Sequence, residues 1–299
     1  MIYIEHLFIN FLIFALLAIS LNLVVGHCGL LSLSHSAFFA VGAYTNALIT
    51  TKLGWGTSAA MIAGMAISMM LSFALSLPSW RYKGDSFVMI SLAVHAVILS
   101  LMVNWARPNA SFGTLWNLTN GPFGIAGIPK PSLFGIKLQS IHQITAFALF
   151  TSAICFGTTW LIVSSPWGRS LKCMRDDEAV LCALGKSTRV FKCQAFALAS
   201  AIASVAGALY SGYVGYIDPS LASLDLSILI LSMVLVGGSG NFKGPIIGAA
   251  VLVLLPEGLR FANIPSSVAG NVRLMLFGIA MILFMHFRPQ GIAGEYKME

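Results

Sequence analysis

Residues 7–26 have the sequence LFINFLIFALLAISLNLVVG, which contains no acidic or basic side chain. An α-helix rises about 1.5 Å per residue, so about 20 such residues cross the hydrocarbon core of a bilayer. The run without Asp, Glu, Lys or Arg extends from His6 to Thr51, which is long enough for two crossings. This stretch predicts a chain that spans a membrane as helices.

The rest of the chain has the same character. Of its 299 residues, 58% are hydrophobic and 9% are charged, against about 25% charged residues in an average soluble domain. Further runs without charged residues cover 53–80, 86–106, 138–168 and 193–217, and shorter ones cover 226–242, 244–256 and 274–287. These runs do not alternate apolar and polar residues as the strands of a membrane barrel do. The sequence predicts an all-α polytopic integral membrane protein of about 8–10 transmembrane helices, some short or broken, in a single domain over residues 1–299.

The basic residues are concentrated in one loop. Six of the 17 Lys and Arg residues fall between residues 169 and 192, which places this loop in the cytoplasm by the positive-inside rule. Threading the helices alternately from there puts eleven basic residues on that side and five on the other, with Arg273 near the start of the last helix. The net charge of +7 therefore reflects topology, and no nucleic acid partner is expected. The N-terminus is predicted to lie outside.

Residues 180–188, VLCALGKST, contain the Gly-Lys-Ser-Thr end of a nucleotide-binding P-loop. A P-loop needs a further glycine five residues before Gly185, and that position holds the β-branched Val180. The preceding residues are polar and show no strand pattern. This pattern does not predict ATP binding by the chain.

Cysteine and histidine patterns give no support for metal or redox chemistry. The five cysteines have no metal-ligand spacing, and the six histidines lack carboxylate partners at helical spacing. A Ser–His, paired Asp or His–Glu zinc constellation is also absent from the sequence at usable spacing. We therefore expect a chain that is not an enzyme and holds no cofactor.

Residues 20–44 are polar and glycine-rich within an otherwise uncharged run. Asn, His and Ser side chains are costly in lipid unless they pack against other helices or line an aqueous cavity, and the glycines permit a broken helix whose free amides meet a polar solute. Both a cavity lining and helix packing through small residues stay open.

Two loops carry further information. Residues 107–137 contain Gly and Pro at turn positions and predict an external loop, which is either a docking surface or a connector. Residues 165–192 place Leu171, Met174, Leu181 and Leu184 at helical spacing, so they predict one or two amphipathic helices ended by Gly185 as a C-cap. The acidic residues 176–178 favour a protein groove over anionic lipid as the surface that such a helix meets.

The chain resembles the membrane permease subunits of branched-chain amino acid ABC importers, specifically the subunit usually paired with a second, similar permease. The resemblance spans nearly the whole chain, and the motifs that carry it are Ser20-Leu-Asn22 with Gly26, Gly29, Ser32, His35 and Gly42-Ala-Tyr44; Asn120-Gly-Pro with Gly127-Ile-Pro129; Gly168-Arg169 through Arg175 and Glu178 to Gly185 and Lys192; Ala206 to Tyr210; Asp218-Pro219; Gly237-Gly238-Ser-Gly240 with Gly244-Pro245 and Gly248-Ala249; and Leu255-Pro256-Glu257 with Leu259-Arg260. The chain departs from the family pattern at Ser34, where the family commonly has Gly, and at Val180, where the general coupling motif has Ala.

The resemblance implies a multi-pass permease of the bacterial inner membrane that forms part of a translocation path. Its implied partners are a second permease, two cytoplasmic ABC ATPase subunits, a periplasmic substrate-binding protein and membrane lipid. The implied path candidates are Asn22, Gly26, Gly29, Ser32, His35, Gly42, Tyr44, Gly237, Gly238 and Gly240. The implied ATPase-coupling residues, in the loop at about 165–192, are Gly168, Arg169, Arg175, Asp177, Glu178 and Gly185.

Substrate and mechanism leave alternatives. Branched-chain or similar amino acids are the expected cargo. Urea or short amides are the second alternative, because related permeases import urea or short amides. An ion-coupled secondary transporter would need ionisable groups inside the membrane. The candidates for that are few, namely Asp225, Glu257 and Arg273 besides the histidines.

Overall fold

The fold comes from a computed structural model. It describes residues 2–82, 84–107, 113–114, 116–133, 136–260, 275, 278–279, 282 and 291–293. Most of the predicted last helix at 274–287 lies outside the described residues, as do the basic residues Lys83, Arg273, Arg288 and Lys297.

Helices make up almost all of the described chain. In order, the elements are α1 (Ile2–Asn22), a π-helical turn (Leu23–His27), α2 (His35–Leu48), a second π-helical turn (Ile49–Leu53), α3 (Thr57–Ser76), a 3-10 turn (Pro78–Trp80), α4 (Asp85–Asn104), a 3-10 turn (Gly121–Phe123), β1 (Ile125–Ala126), β2 (Ser132–Leu133), β3 (Ile136–Lys137), α5 (Ile141–Ser164), α6 (Pro166–Asp176), α7 (Glu178–Ala183), α8 (Thr188–Val214), β4 (Tyr216–Ile217), a 3-10 turn (Pro219–Ala222), α9 (Leu224–Gly237) and α10 (Lys243–Arg260).

Five helices in the described chain are long and apolar enough to cross a membrane. They are Ile2–His27, Thr57–Ser76, Asp85–Asn104, Ile141–Ser164 and Thr188–Val214, and most of each lies within a charge-free run of the sequence. Shorter helices accompany them, among them α2 and α9 with 14 residues each. The prediction of an all-α polytopic membrane protein with some short or broken helices is confirmed.

Helices α1 and α8 form the centre of the bundle. In the most apolar 18-residue stretch of each helix, 78% of the residues of α1 and 72% of those of α8 are buried, whereas only 22% of those of α5 are. Helix α8 packs against α2 and α3, and α1 packs against α5, α8 and α10. Large side chains such as Phe150 and Trp160 of α5 are exposed. The outer helices therefore present the apolar surface that lipid covers.

The approach of α2 to α8 is close enough to require glycine. A Cβ atom added at Gly42 would lie 2.1 Å from the carbonyl oxygen of Ser204, and one added at Gly207 would lie 2.0 Å from that of Phe39. Backbone-to-backbone contact of this kind is how small residues hold membrane helices together when no hydrophobic driving force is available.

The bundle has two chemically different ends. At one end, Lys192 and Arg189 at the start of α8 contact Ser79 and Trp80, next to α6 and α7; we call this the basic end. At the opposite end, β1 of the 107–137 loop pairs antiparallel with β4, which follows α8, in the register Ile125↔Ile217. Since α8 connects the two ends, the two loops singled out by the sequence lie on opposite sides of the bundle.

Candidate functional site

The first spanning helix breaks at the basic end. Helix α1 continues through the π-helical turn Leu23–His27, and the chain is then unwound until α2 begins at His35. Gly29 has a φ of +73° in this unwound part, a conformation that favours glycine. The break expected from the glycine-rich pattern lies at residues 28–34.

Several polar side chains around the break have hydrogen-bond partners, either within the break or in neighbouring helices. Ser20 Oγ lies 2.7 Å from His35 Nε2, and Ser32 Oγ lies 2.9 Å from Ser34 Oγ. Ser36 Oγ donates to the carbonyl oxygen of Ser223 at 2.9 Å, which ties α2 to the start of α9. For these side chains, the geometry favours the packing interpretation over a cavity lining.

Other buried polar atoms have no such partner in the described part of the chain, among them one in α2 and one at the end of α1. The Tyr44 hydroxyl and Nε2 of His27 are buried without a hydrogen bond to the described part of the chain. Buried unpaired groups are rare in folded proteins and call for water, an ion or a solute. Of the predicted path residues, Tyr44 therefore retains the strongest support from geometry.

The break contacts the glycine-rich turn between α9 and α10. Asn22 Oδ1 accepts a hydrogen bond from the Gly240 amide at 3.1 Å, and its Nδ2 donates to the Asn241 carbonyl oxygen at 2.9 Å. A Cβ atom at Gly26 would lie 2.4 Å from the Gly240 amide nitrogen. The structure thus brings together Asn22, Gly26 and Gly240, which belong to two sequence-distant motifs.

Other predicted path glycines lie at contacts between helices. A Cβ atom at Gly237 would lie 2.0 Å from the Gly244 carbonyl oxygen, at the α9–α10 approach. Gly238 has a φ of +107° and ends α9. Gly42 lies against α8, away from the break. Glycine at these positions allows neighbouring helix backbones to pack closely, and a role of these glycines in the path stays a prediction.

The 165–192 loop forms α6 and α7, which are separated at Asp177. Ser165 accepts a hydrogen bond from the Gly168 amide at the start of α6, and a Cβ atom at Gly168 would lie 2.1 Å from the Val163 carbonyl oxygen. Asp177 is extended and caps α7 by accepting from the Ala179 amide at 2.8 Å. Gly185, with a φ of +74°, follows α7.

The two short helices have an inner and an outer face. Leu171, Met174 and Leu181 are buried against the bundle. Val180 is 48% exposed and Leu184 is 67% exposed. Of the four apolar residues found at helical spacing, three therefore face the bundle and Leu184 faces away from it.

Arg175 connects this segment to the break. Its NH1 group donates to the Gly26 carbonyl oxygen at 2.7 Å, and its Nε donates to Asp176 at 2.9 Å. A Cβ atom at Gly29 would lie 2.8 Å from Arg175 Cγ. Arg175, which the resemblance implies to be an ATPase-coupling residue, therefore contacts Gly26 and Gly29, which the resemblance implies to be path residues.

A buried ion pair anchors α7 to α8. Lys192 Nζ lies 3.0 Å from a Glu178 carboxylate oxygen and donates to the Ser79 carbonyl oxygen at 2.9 Å. The pairing of Lys192 with Glu178 was not predicted from the sequence. The position of Lys192, directly before the charge-free run at 193–217, is the feature of the sequence that marks this residue. Arg169, in contrast, is exposed and donates to the Ser164 carbonyl oxygen at 3.3 Å.

A polar cavity of about 280 Å³ lies between the break and the helices α6 and α7. Its lining includes Cys28, Gly29, Arg175, Glu178 and Lys192. Burial raises the pKa of the Cys28 thiol, one residue beyond the spanning helix, to about 12, so this thiol is neutral. Within the described ranges, no group of three or more His, Cys, Asp or Glu residues could hold a metal ion.

The P-loop-like residues have an ordinary structural place. Gly185, Lys186 and Ser187 form the turn between α7 and α8, and they follow a helix, not the buried strand that a P-loop requires. Lys186 Nζ donates to Ser170 Oγ at 2.7 Å. The interpretation from sequence, that these residues end a helix of the loop, agrees with this geometry.

Comparison with known proteins gives one family. A family model described as "Branched-chain amino acid transport system / permease component" matches residues 3–285. The permease protein LivM of the high-affinity branched-chain amino acid transport system of Escherichia coli (strain K12) is 30% identical, covering 94% of this chain and 68% of its own length.

More distant relatives agree. A probable branched-chain amino acid transport permease protein LivM of Methanocaldococcus jannaschii is 27% identical over 79% of this chain and 68% of its own. The permease protein LivH of E. coli (strain K12) is 24% identical over 96% and 92% of the two chains. No solved structure gives a significant match. Because the family model covers most of its length and one relative is 30% identical, this multi-pass membrane protein belongs to the family of permease components of branched-chain amino acid transport systems.

Proposed function

We propose that this chain is one of two membrane-spanning permease subunits of an ATP-driven importer for branched-chain or similar amino acids. The observation that carries the proposal is the two-faced segment α6–α7. Its inner face is bonded to the bundle through Arg175 and Glu178, and its outer face exposes Val180 and Leu184. The inner face of this segment is bonded to the bundle and its outer face is apolar and exposed. Such a segment suits a partner protein that binds at the basic end and moves the bundle.

The proposed partners at the basic end are two ABC ATPase subunits. A short helix with exposed apolar side chains binds by laying that face into a groove on the partner. Val180 and Leu184 are the proposed anchors, while Gly168, Asp177 and Gly185 set the turns that present them. Arg169 adds an exposed positive charge beside this surface.

A second, similar permease is the proposed neighbour within the membrane. Support comes from the family, in which LivM and LivH of E. coli both match this chain. The proposed path then runs between the two permeases. This chain contributes Tyr44 of α2, whose hydroxyl is buried without a partner in the described part of the chain, and the glycine turn at 237–240.

Selection of the substrate is assigned to a periplasmic binding protein. The described spanning part of α1 beyond Glu5 and all of α2 carry no Asp, Glu, Lys or Arg, so this part of the path offers a neutral passage. At the opposite end of the bundle, Phe123 is 81% exposed and its carbonyl oxygen accepts from the Tyr216 hydroxyl at 3.3 Å. We propose this end as the docking surface for the binding protein, which places the chain in a bacterial inner membrane.

Uptake measured in a deletion strain and in the complemented strain tests this function. Uptake of labelled leucine is expected to require this gene, to stop when ATP is depleted, and to survive collapse of the proton and sodium gradients. Competition by isoleucine and valine but not by urea supports amino acids as cargo, and the reverse pattern supports urea or short amides. Uptake that follows an ion gradient without ATP would overturn the proposal in favour of secondary transport.

A further inference from the structure

Arg175 lies at the junction of three parts of the basic end. Its side chain is 10% exposed, although it belongs to a short helix on the surface of the bundle. The bond from its NH1 group to the Gly26 carbonyl oxygen joins residues that are 149 positions apart in the chain. Because this charged side chain is almost entirely buried, its position must be explained by the contacts that it makes.

The π-helical turn at the end of α1 supplies the acceptor. The last carbonyl groups of a helix have no partner within the helix, and the helix dipole favours a cation there. The Arg175 guanidinium satisfies one of these carbonyl groups with a charge-assisted bond. Gly29 leaves the space for the stem of Arg175, since a Cβ atom at Gly29 would collide with its Cγ. The Arg175 side chain therefore packs against the backbone of the break at Gly29 and bonds to the end of α1 at Gly26.

The contact continues beyond α1. Gly26 packs on Asn22 and on the Gly240 amide, and Asn22 bonds Gly240 and Asn241. Asn241 Nδ2 in turn donates to the Ala293 carbonyl oxygen at 3.0 Å. A displacement of Arg175 would therefore be passed from α6 to the end of α1 and then to the turn between α9 and α10.

The neighbouring ion pair holds the same segment at a different place. Lys192 and Glu178 join α7 to α8 and to the turn after α3. Helix α8 is mostly buried at the centre of the bundle. A segment attached at α7 to this central helix and at α6 to a broken helix end can rock about the first attachment and move the second.

We propose that Arg175 is the positioning residue that transmits movement of the α6–α7 segment to the end of α1 and to the turn at 238–241. This inference rests on the proposed function and names the route by which ATP-driven movement opens the path. The ATPase subunits move α6–α7, Arg175 pulls on the Gly26 carbonyl, and Asn22 carries the displacement to Gly240. No covalent step is involved.

Charge-removal variants of the complete transporter test the route. Arg175→Gln is expected to leave ATP hydrolysis within about twofold of wild type while uptake falls about tenfold or more, since Gln lacks the charge that strengthens the bond to the Gly26 carbonyl oxygen. Arg175→Lys keeps a cation for the same carbonyl group and is expected to restore part of the uptake. A residue with only a structural role would lower hydrolysis, assembly and uptake together.

Lys172→Gln is the matched control. It removes one positive charge from the same helix, and the structure gives Lys172 no bond to a described residue. Its uptake per ATP hydrolysed is expected to equal that of wild type. If Arg175→Gln assembles and transports with the wild-type ratio, the route through Arg175 is wrong while the proposed function stands. If ATPase subunits never copurify with any variant, the proposed function itself fails.

Hydrogen exchange on the wild-type complex covers the case in which Arg175→Gln does not fold. Amides of residues 26–30 and 238–241 are expected to change their exchange rates together, by about threefold or more, between nucleotide-free and ATP-trapped complexes. A change confined to α6 and α7, with residues 26–30 unaltered, would overturn the proposal.

Discussion

Lys192 Nζ lies 3.0 Å from a carboxylate oxygen of Glu178, although Lys192 as a whole is only 2% exposed. The family resemblance implied a role for Glu178 in ATPase coupling, which stays a prediction, and the structure adds that its carboxylate pairs with a lysine at the start of the central helix α8. A buried lysine without its partner is far more costly than a pair, because desolvation of the charge is then uncompensated. This relationship makes Glu178 a residue that holds the coupling segment in place.

Glu178→Gln is expected to destabilise the protein by about 1–3 kcal/mol, since the amide still accepts a hydrogen bond but leaves the Lys192 charge unpaired. The midpoint of thermal unfolding in detergent measures this. Asp85→Asn removes an exposed carboxylate and is the control, with little change expected. The double variant Glu178→Leu with Lys192→Met removes both charges and should recover much of the loss; a double variant less stable than either single one contradicts the pairing.

Gly207→Ala is expected to separate α2 from α8. The added Cβ would lie 2.0 Å from the Phe39 carbonyl oxygen, and the backbone there cannot rotate away, so we expect a loss of about 3 kcal/mol or more. The yield of folded protein and its thermal midpoint report the effect. Gly157→Ala in α5 has open space around the new methyl group and should be neutral or stabilising by up to about 1 kcal/mol. Equal behaviour of the two variants would refute the close contact.

Asn22→Ala removes both bonds to the α9–α10 turn. Leaving the Gly240 amide and the Asn241 carbonyl without partners is expected to cost about 1–3 kcal/mol and to speed hydrogen exchange of the Gly240 amide. Asn10→Ala is the control on the same helix, because within the described part of the chain Asn10 bonds the His6 carbonyl oxygen one turn earlier and no other helix. Gly240 exchange that is unchanged in Asn22→Ala would show that this bond does not hold the turn.

Substitutions of Gly185 test the turn after α7. Its φ of +74° suits Gly, is tolerated by Asn and is strained for β-branched residues, while no atom lies near the missing Cβ. We expect uptake to fall in the order Gly, Asn, Ala, Val, with Gly185→Val losing about tenfold because strain of about 1–2 kcal/mol shifts Leu184. Gly54→Val imposes similar strain at the opposite end, where φ is +65°. Equal losses of uptake in both valine variants would argue against a coupling role.

Composition and charge were sufficient to predict the membrane class and most helices. Most of each of the five long apolar helices lies within a charge-free run, because only a run of about 20 residues or more can cross a bilayer. The clustering of basic residues at 169–192 marked the end of the bundle where α6 and α7 lie. The break after α1 was also predictable, because several glycines and polar residues fall within one uncharged run.

The contacts that build the site were not predictable in the same way. Asn22 and Gly240 are 218 positions apart, and Arg175 and Gly26 are 149 apart. Periodicity describes one helix at a time and contains no information about which helices meet. The π-helical turns that shape the end of α1 and of α2 also leave no pattern in the sequence that a period of 3.6 residues detects.

The orientation of Leu184 shows a second limit. The helical spacing from Leu171 to Leu184 predicted one or two amphipathic helices that end at Gly185. Asp177 is extended and interrupts the helix, and α7 ends at Ala183, so Leu181 is buried with the face of α6 while Leu184 lies in the turn beyond the helix. An N-capping Asp followed by Glu is a signal for such a restart, so the division into two helices could be predicted, whereas the exposure of Leu184 could not.

Copurification tests the central claim most directly. The chain is isolated from its own membranes in mild detergent, and mass spectrometry identifies the proteins that accompany it. An ATP-driven importer predicts that two P-loop ATPase subunits and a second permease of the same family are recovered with it in fixed stoichiometry. Recovery of the chain alone or as a homo-oligomer, from membranes in which uptake is active, would contradict the account.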